Sequence, residues 1–209
     1  KKIGSVSIKD LCCWSFHAVK NLPAGDGGAI TTNNKSYYER LKQLRWMGID
    51  KDTFVRTKVL GKESYAWQYS VNGIGYKYHM NDITAAIAVA QLKVLDEHNA
   101  RRKEIVDVYM RELQEIELPV FKDDRVSSNH LFEIKVKNRD TFLARMKEHD
   151  IACGAHYYPN NLYPVFPDAN LPVVESVYEH IVSLPLHTLL SDKDVLDICK
   201  AVKENSIIK

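Results

Sequence analysis

A run of apolar residues closes on a lysine and then on a glycine-rich turn: Ser15-Phe16-His17-Ala18-Val19-Lys20 precedes Asn21-Leu22-Pro23-Ala24-Gly25-Asp26-Gly27-Gly28. Residues 11 to 19 are mostly apolar and β-prone, so they read as a buried strand with Lys20 at its end. Pro23 to Gly28 read as a turn, and residues 28 to 33 return as a second strand rich in Thr and Ile. Such a chain must pair two strands and carry a lysine at their neck. The residues alone leave Lys20 two readings. It is a solvated surface amine, or an amine whose pKa is lowered by desolvation so that it serves as a Schiff-base nucleophile. The Gly25-Asp26-Gly27-Gly28 stretch is likewise a turn or a phosphate cradle, with neither a Walker pattern nor G-x-G-x-x-G beside it.

The rest of the chain alternates helical and strand-like stretches, which indicates α/β or α+β packing. A helix is expected from Lys35 to about Trp46, capped by Asn34 or Ser36, with Tyr37, Leu41 and Leu44 at helical spacing. Residues 48 to 75 look irregular, with alternating aromatics at Tyr65, Trp67 and Tyr69. The clearest helix starts at Asn81 or Asp82 and carries Ile83, Ile87, Ala90 and Val94 as one stripe. A second runs from about Ala100 to Ile116 with Ile105, Val108, Tyr109 and Leu113 in line, and His98-Asn99 is a candidate break between the two. After Pro119 the pattern changes. Residues 130 to 136 and 151 to 158 read as strands, and 139 to 150, 173 to 181 and 191 to 205 read as helices. The expected division is therefore residues 1 to 117 and 118 to 209.

Composition narrows the class. The chain has 209 residues, enough for one large or two small domains, and a formal net charge of +2. That balance gives no electrostatic case for nucleic acid or a membrane surface. Cys12, Cys13, Cys153 and Cys199 form no C-x-x-C pair, so neither a zinc site nor a disulfide framework is indicated, and a reduced, cytoplasmic setting is expected. The histidines lack metal-ligand spacing, and no G-x-S-x-G elbow supports a serine nucleophile.

Several motifs in one order then point further. The segment SFHAVKNLPAGDGGAITTNN resembles the lysine segment of the DegT/DnrJ/EryC1/StrS family of pyridoxal-phosphate-dependent sugar aminotransferases. YERLKQLRWMGI, GYKYHMNDITAAIAVAQLKVLDEHNARR, GAHYYPNNLYPVF and SLPLHTLLSDKDV continue the likeness in register, from about residue 2 to 203. The resemblance implies an α/β architecture of fold type I, the aspartate aminotransferase-like class. Residues 1–117 would be the C-terminal part of the large domain with its connecting helices, and 118–209 the small C-terminal α/β domain.

By that resemblance Lys20 forms the Schiff base with pyridoxal 5′-phosphate and then moves a proton. Ser15 matches the serine whose hydroxyl binds the cofactor phosphate. Lys77 stands where many members carry an asparagine that reaches the phosphate of the neighbouring subunit; a lysine there suits an anion as a point charge. Ser15 lies five residues before Lys20, so a bend must intervene if the two face one ligand. His156 and Tyr157 either border a sugar-nucleotide site or end a packed strand. The implied reaction moves an amino group from an amino acid, usually L-glutamate, to a keto group on a nucleotide-linked sugar. Homodimers with shared sites, and roles in lipopolysaccharide or secondary-metabolite synthesis, come with it. Relatives that dehydrate carry histidine in place of the lysine, so Lys20 argues for transfer.

The resemblance also places the ring-stacking aromatic and the aspartate that pairs with the pyridinium nitrogen ahead of the lysine. The residues before Lys20 supply no such set, so the chain reads as the C-terminal half or so of such an enzyme, incomplete by itself. The rival readings are a non-catalytic dimerising or binding module and a lysine Schiff-base enzyme without pyridoxal phosphate.

Overall fold

The computed structural model describes residues 3, 11–50, 69–166 and 169–206. The aromatic alternation expected through Tyr65 and Trp67 lies outside the described residues. The chain divides into two compact units, Lys1–Lys93 and Val94–Lys209.

In the first unit, β1 (Leu11–Ser15) and β2 (Gly28–Thr32) pair antiparallel, with Leu11 opposite Thr32 and Ser15 opposite Gly28. The indole Nε1 of Trp14 donates to Thr31 Oγ1 at 2.9 Å across the pair. The strand expected over 11 to 19 is thus shorter, and it is not buried: Leu11, Cys13, Trp14 and Ser15 are all exposed. A two-stranded ribbon has two open faces, and β-propensity sets pairing without supplying a covering layer. Helix α1 spans Lys35–Leu44 and is capped by Asn34, whose Oδ1 accepts from the backbone N–H groups of Ser36 and Tyr37 at 2.9 and 3.2 Å. That satisfies two of the donors a helix start leaves unpaired.

Helix α2 spans Asp82–Glu112 without interruption. Asn81 is its cap, accepting from Thr84 N–H at 2.9 Å. The break expected at His98-Asn99 is absent. Histidine and asparagine cost a helix only about 0.5–0.7 kcal/mol each relative to alanine, which packing overrides. The anchoring is visible one step on: Arg101 Nη2 donates to Leu190 O and Arg102 Nη1 to Leu186 O, each at 2.7 Å. The covered face at the N-terminal end also differs from the expected stripe. Of that stripe Ile83, Ile87 and Ala90 are exposed and Val94 is partly covered, and Thr84, Ala88, Gln91 and Leu95 are partly covered beside it.

The second unit contains the C-terminal end of α2, then β3 (Phe132–Lys135), α3 (Arg139–Glu148), α4 (Pro172–His180), β4 (Ile181–Leu184) and α5 (Asp192–Ser206). β3 and β4 pair antiparallel, Phe132 opposite Leu184 and Lys135 opposite Ile181. Alternation sends Phe132, Ile134 and Val136 inward, against Val182 and Leu184. Ile105, Tyr109 and Leu113 from the α2 end, Phe142 and Met146 from α3, and Val195, Ile198 and Val202 from α5 complete this core. The Tyr109 hydroxyl donates to Pro185 O at 2.7 Å, so the buried phenol is satisfied.

The strand expected over 151 to 158 is a single bridge, Gly154 opposite Ser183. The second strand of this sheet is β4, whose β-branched Ile181-Val182 pair places Val182 in the core. Both sheets among the described residues are antiparallel ribbons. The parallel sheet implied for a complete large domain is not represented among them.

Candidate active site

The loop joining β1 to β2 is a zipped extension of the hairpin. Phe16 N–H donates to Gly27 O at 2.9 Å, Ala24 N–H to Phe16 O at 2.8 Å, and Ala18 N–H to Gly25 O at 3.0 Å. At its tip Lys20 N–H donates to His17 O at 2.9 Å, closing a turn. The strand ends at Ser15, and the chain turns over His17 to Lys20, so a bend does lie between the two residues. Ser15 Oγ accepts from His17 N–H at 3.4 Å.

Two glycines enforce the return. Gly27 has φ +115°, a conformation that L side chains avoid, and a Cβ there would lie 3.1 Å from Met80 Cε. A Cβ on Gly28 would lie 2.5 Å from the Trp14 carbonyl oxygen. The glycine stretch therefore acts as a tight turn with close backbone approach. Asp26 Oδ1 accepts from Gly27 N–H at 2.8 Å within it.

Lys20 is half-buried, and its ammonium has no hydrogen-bond or ion-pair partner among the described residues. An amine in that setting is free to bond a ligand. Lys77 is not on this loop. It is exposed and forms an isolated bridge with Trp46, and its Nζ lies 4.4 Å from the centroid of the Trp46 ring. No carboxylate neutralises Lys77 among the described residues. His79 meets the same indole edge-on, ring centroids 4.3 Å apart. Sequence reading missed Trp46 and His79. No local signal in the sequence marks the contact, which joins segments about thirty residues apart.

In the second unit His156 Nδ1 and the Ser183 hydroxyl are 2.8 Å apart, and Ser183 is buried. Glu133 stands opposite Ser183 on β3. Burial pushes the Glu133 carboxyl above its ordinary range, and the nearby His156 opposes that shift. Tyr157 is exposed. Among the described residues no cluster of His, Cys, Asp or Glu is arranged to hold a metal ion, and no helix is long and apolar enough to cross a membrane.

The model of the DegT/DnrJ/EryC1/StrS aminotransferase family matches residues 1–203. The chain belongs to this family. It is 31% identical to the spore coat polysaccharide biosynthesis protein SpsC of Bacillus subtilis, over 95% of this chain and 54% of SpsC. Spr1654 of Streptococcus pneumoniae, solved in a PMP-form, superposes with a TM-score of 0.85 at 30% identity, over 97% of this chain and 54% of that one. PseC of Helicobacter pylori, an aminotransferase involved in the biosynthesis of pseudoaminic acid, superposes with a TM-score of 0.84 at 27% identity, over 99% of this chain and 55% of that one. The chain spans about half the length of the curated relatives it matches, 55% and 54%.

These likenesses show the fold: fold type I, of the pyridoxal-phosphate-dependent transferases, with this chain covering part of it. Aminotransferases of this family depend on pyridoxal phosphate, and Spr1654 is also solved in a PLP-form. The residues present fit that group. Lys20 offers a half-buried amine without a partner, and the Ser15 hydroxyl hydrogen has no acceptor among the described residues.

Proposed function

We propose that the whole protein is a pyridoxal-phosphate-dependent sugar aminotransferase. It moves an amino group from an amino acid, L-glutamate, to a keto group on a nucleotide-linked sugar. The observation that carries this is the partly buried amine of Lys20, unpartnered among the described residues, at the tip of a glycine-closed hairpin loop in a chain of this family. The roles of SpsC and PseC, in spore coat polysaccharide and pseudoaminic acid biosynthesis, support a place in cell-surface carbohydrate synthesis. A cytoplasmic homodimer is the assembly this reading takes, with residues 1–117 belonging to the large domain and 118–209 forming the small one.

Bound cofactor supplies an aldehyde that captures amines and a conjugated ring that accepts the electrons of a broken Cα–H bond. The chain's own residues do the rest. Lys20 Nζ would hold the cofactor through its aldehyde and, once released as a free base, would carry the proton taken from the donor's Cα. The Ser15 hydroxyl would donate to a phosphate oxygen, and Lys77 Nζ would offer a positive charge to the phosphate held by the neighbouring subunit. The hairpin ladder from Phe16 to Gly27 holds Ser15 and Lys20 in a fixed relation while the proton moves.

The test is reductive trapping. Borohydride treatment of the full-length protein with pyridoxal phosphate, followed by peptide mapping, is expected to label Lys20. A Lys20→Ala variant is expected to lose both label and cofactor absorbance. Label on another lysine, or full absorbance in the variant, would overturn the assignment.

A further inference from the structure

Trp46 lies at the end of the α1 segment, and residues 76 to 78 are laced against it. Tyr76 N–H donates to Leu44 O at 2.7 Å, Tyr78 N–H to Arg45 O at 2.9 Å, and Met47 N–H to Tyr76 O at 3.1 Å. Trp46 and Lys77 are bridge partners, which brings the Lys77 ammonium over the indole face. His79 braces the same indole from another side, its ring plane at 88° to it. The indole is thus fixed by backbone pairing on one flank and by an aromatic edge on the other.

A lysine on an exposed segment samples many rotamers, and ordering it at the moment of binding costs affinity. An ammonium resting on an indole face has part of that freedom removed beforehand. A second observation concerns the ammonium itself. Lys77 is exposed and no carboxylate pairs with it among the described residues. An ammonium donates hydrogen bonds and accepts none, so an exposed one without a carboxylate is suited to an anion's oxygen.

We propose that Trp46 is a positioning residue for anion binding: its ring holds Lys77 Nζ where a phosphate monoester presented from beyond this unit is received. The inference rests on the reading that Lys77 meets the cofactor phosphate, and it adds the residue that makes Lys77 effective. Trp46 touches the ammonium, not the reacting atoms.

The test measures affinity of the full-length protein for pyridoxal phosphate, for pyridoxal and for UDP, by equilibrium dialysis. Trp46→Leu is expected to weaken pyridoxal phosphate about three- to fivefold. Trp46→Phe, which keeps a ring, should restore most of that loss. Lys77→Met is expected to weaken it about tenfold, and adding Trp46→Leu to it should cost nothing more. Pyridoxal and UDP should be indifferent to all of these changes, the first lacking the phosphate and the second bringing a diphosphate. Wild-type binding by Trp46→Leu beside a clear loss in Lys77→Met would sink this inference alone. A Trp46→Leu loss that persists in the Lys77→Met background, or extends equally to pyridoxal, would mean the ring acts structurally and also overturns it. A loss confined to UDP would assign the anion to a diphosphate and overturn it as well. Unchanged binding by Lys77→Met would instead remove the underlying assignment of Lys77, and this inference with it.

Discussion

In residues 94–209 the buried side chains form one contiguous cluster around Phe132, Ile134 and Val182, whereas in residues 1–93 the buried apolar residues among those described are Ala24 and Ile49. The two regions are therefore held by different means. The second unit is stabilised by apolar surface withdrawn from water, a non-directional term spread over many side chains. In the first, backbone hydrogen bonds, an Asn34 cap and two glycines in special geometry hold the hairpin and its loop. Each such contact is worth about 1 kcal/mol net, and each depends on position. The candidate cofactor residues Lys20 and Ser15 sit in the directional region. The contrast teaches that, among the described residues, the loop's geometry rests on contacts other than the core around Phe132, Ile134 and Val182.

The largest expected effect breaks the core. Phe132→Ala removes a fully buried ring that touches Tyr109, centroids 5.0 Å apart, and should cost about 3–5 kcal/mol by chemical denaturation. A loss below about 1 kcal/mol would mean that this sheet is not where the second unit's stability resides.

Next comes the hairpin. Gly28→Ala sets a methyl group against the Trp14 carbonyl oxygen, 2.5 Å away, so the strands must part. The cost should be about 1–3 kcal/mol, read by hydrogen exchange as lost protection of the Phe16 and Ala18 amides. The β3 and β4 amides are expected to keep theirs. Equal loosening of both regions would dissolve the contrast.

The smallest effect sharpens it with pH. The Glu133 carboxyl is pushed up by burial, with His156 opposing, so the folded state holds its proton more tightly than the unfolded one. The stability this gives is complete below the ordinary value of 4.5 and is lost as pH rises through the folded value. Glu133→Gln should therefore melt higher than the parent at pH 7 and match it at pH 4. The difference should be within the range of a surface change, about 0.5 kcal/mol. A variant that is less stable at pH 7 would show that the ionised carboxylate is stabilising.

Much of this architecture is legible locally. Asn34 and Asn81 announce helix starts because their side chains reach backbone donors two or three residues away. Ser191 does the same through its mutual bonds with Asp194, Oγ accepting at 3.1 Å and Oδ2 accepting at 2.9 Å from the Ser191 N–H. The glycine turn and the lysine in its loop are equally local. The choice between residues 151–158 and 181–184 as the partner of β3 is not, because both runs are apolar and short, and pairing depends on which one the core can bury. The helix through His98-Asn99 escaped for a related reason: the arginines that anchor it bond carbonyls more than eighty residues away.

The amino-acid sequence by itself determined the helix caps, the lysine-bearing hairpin and the family, because each is written in residues near one another or in spaced motifs. The tertiary structure alone decided which face of α2 is covered, which strand joins β3, and that Lys77 rests on Trp46. Those outcomes depend on contacts between segments far apart in the chain, whose free energy is set by mutual fit and not by the preferences of either segment alone.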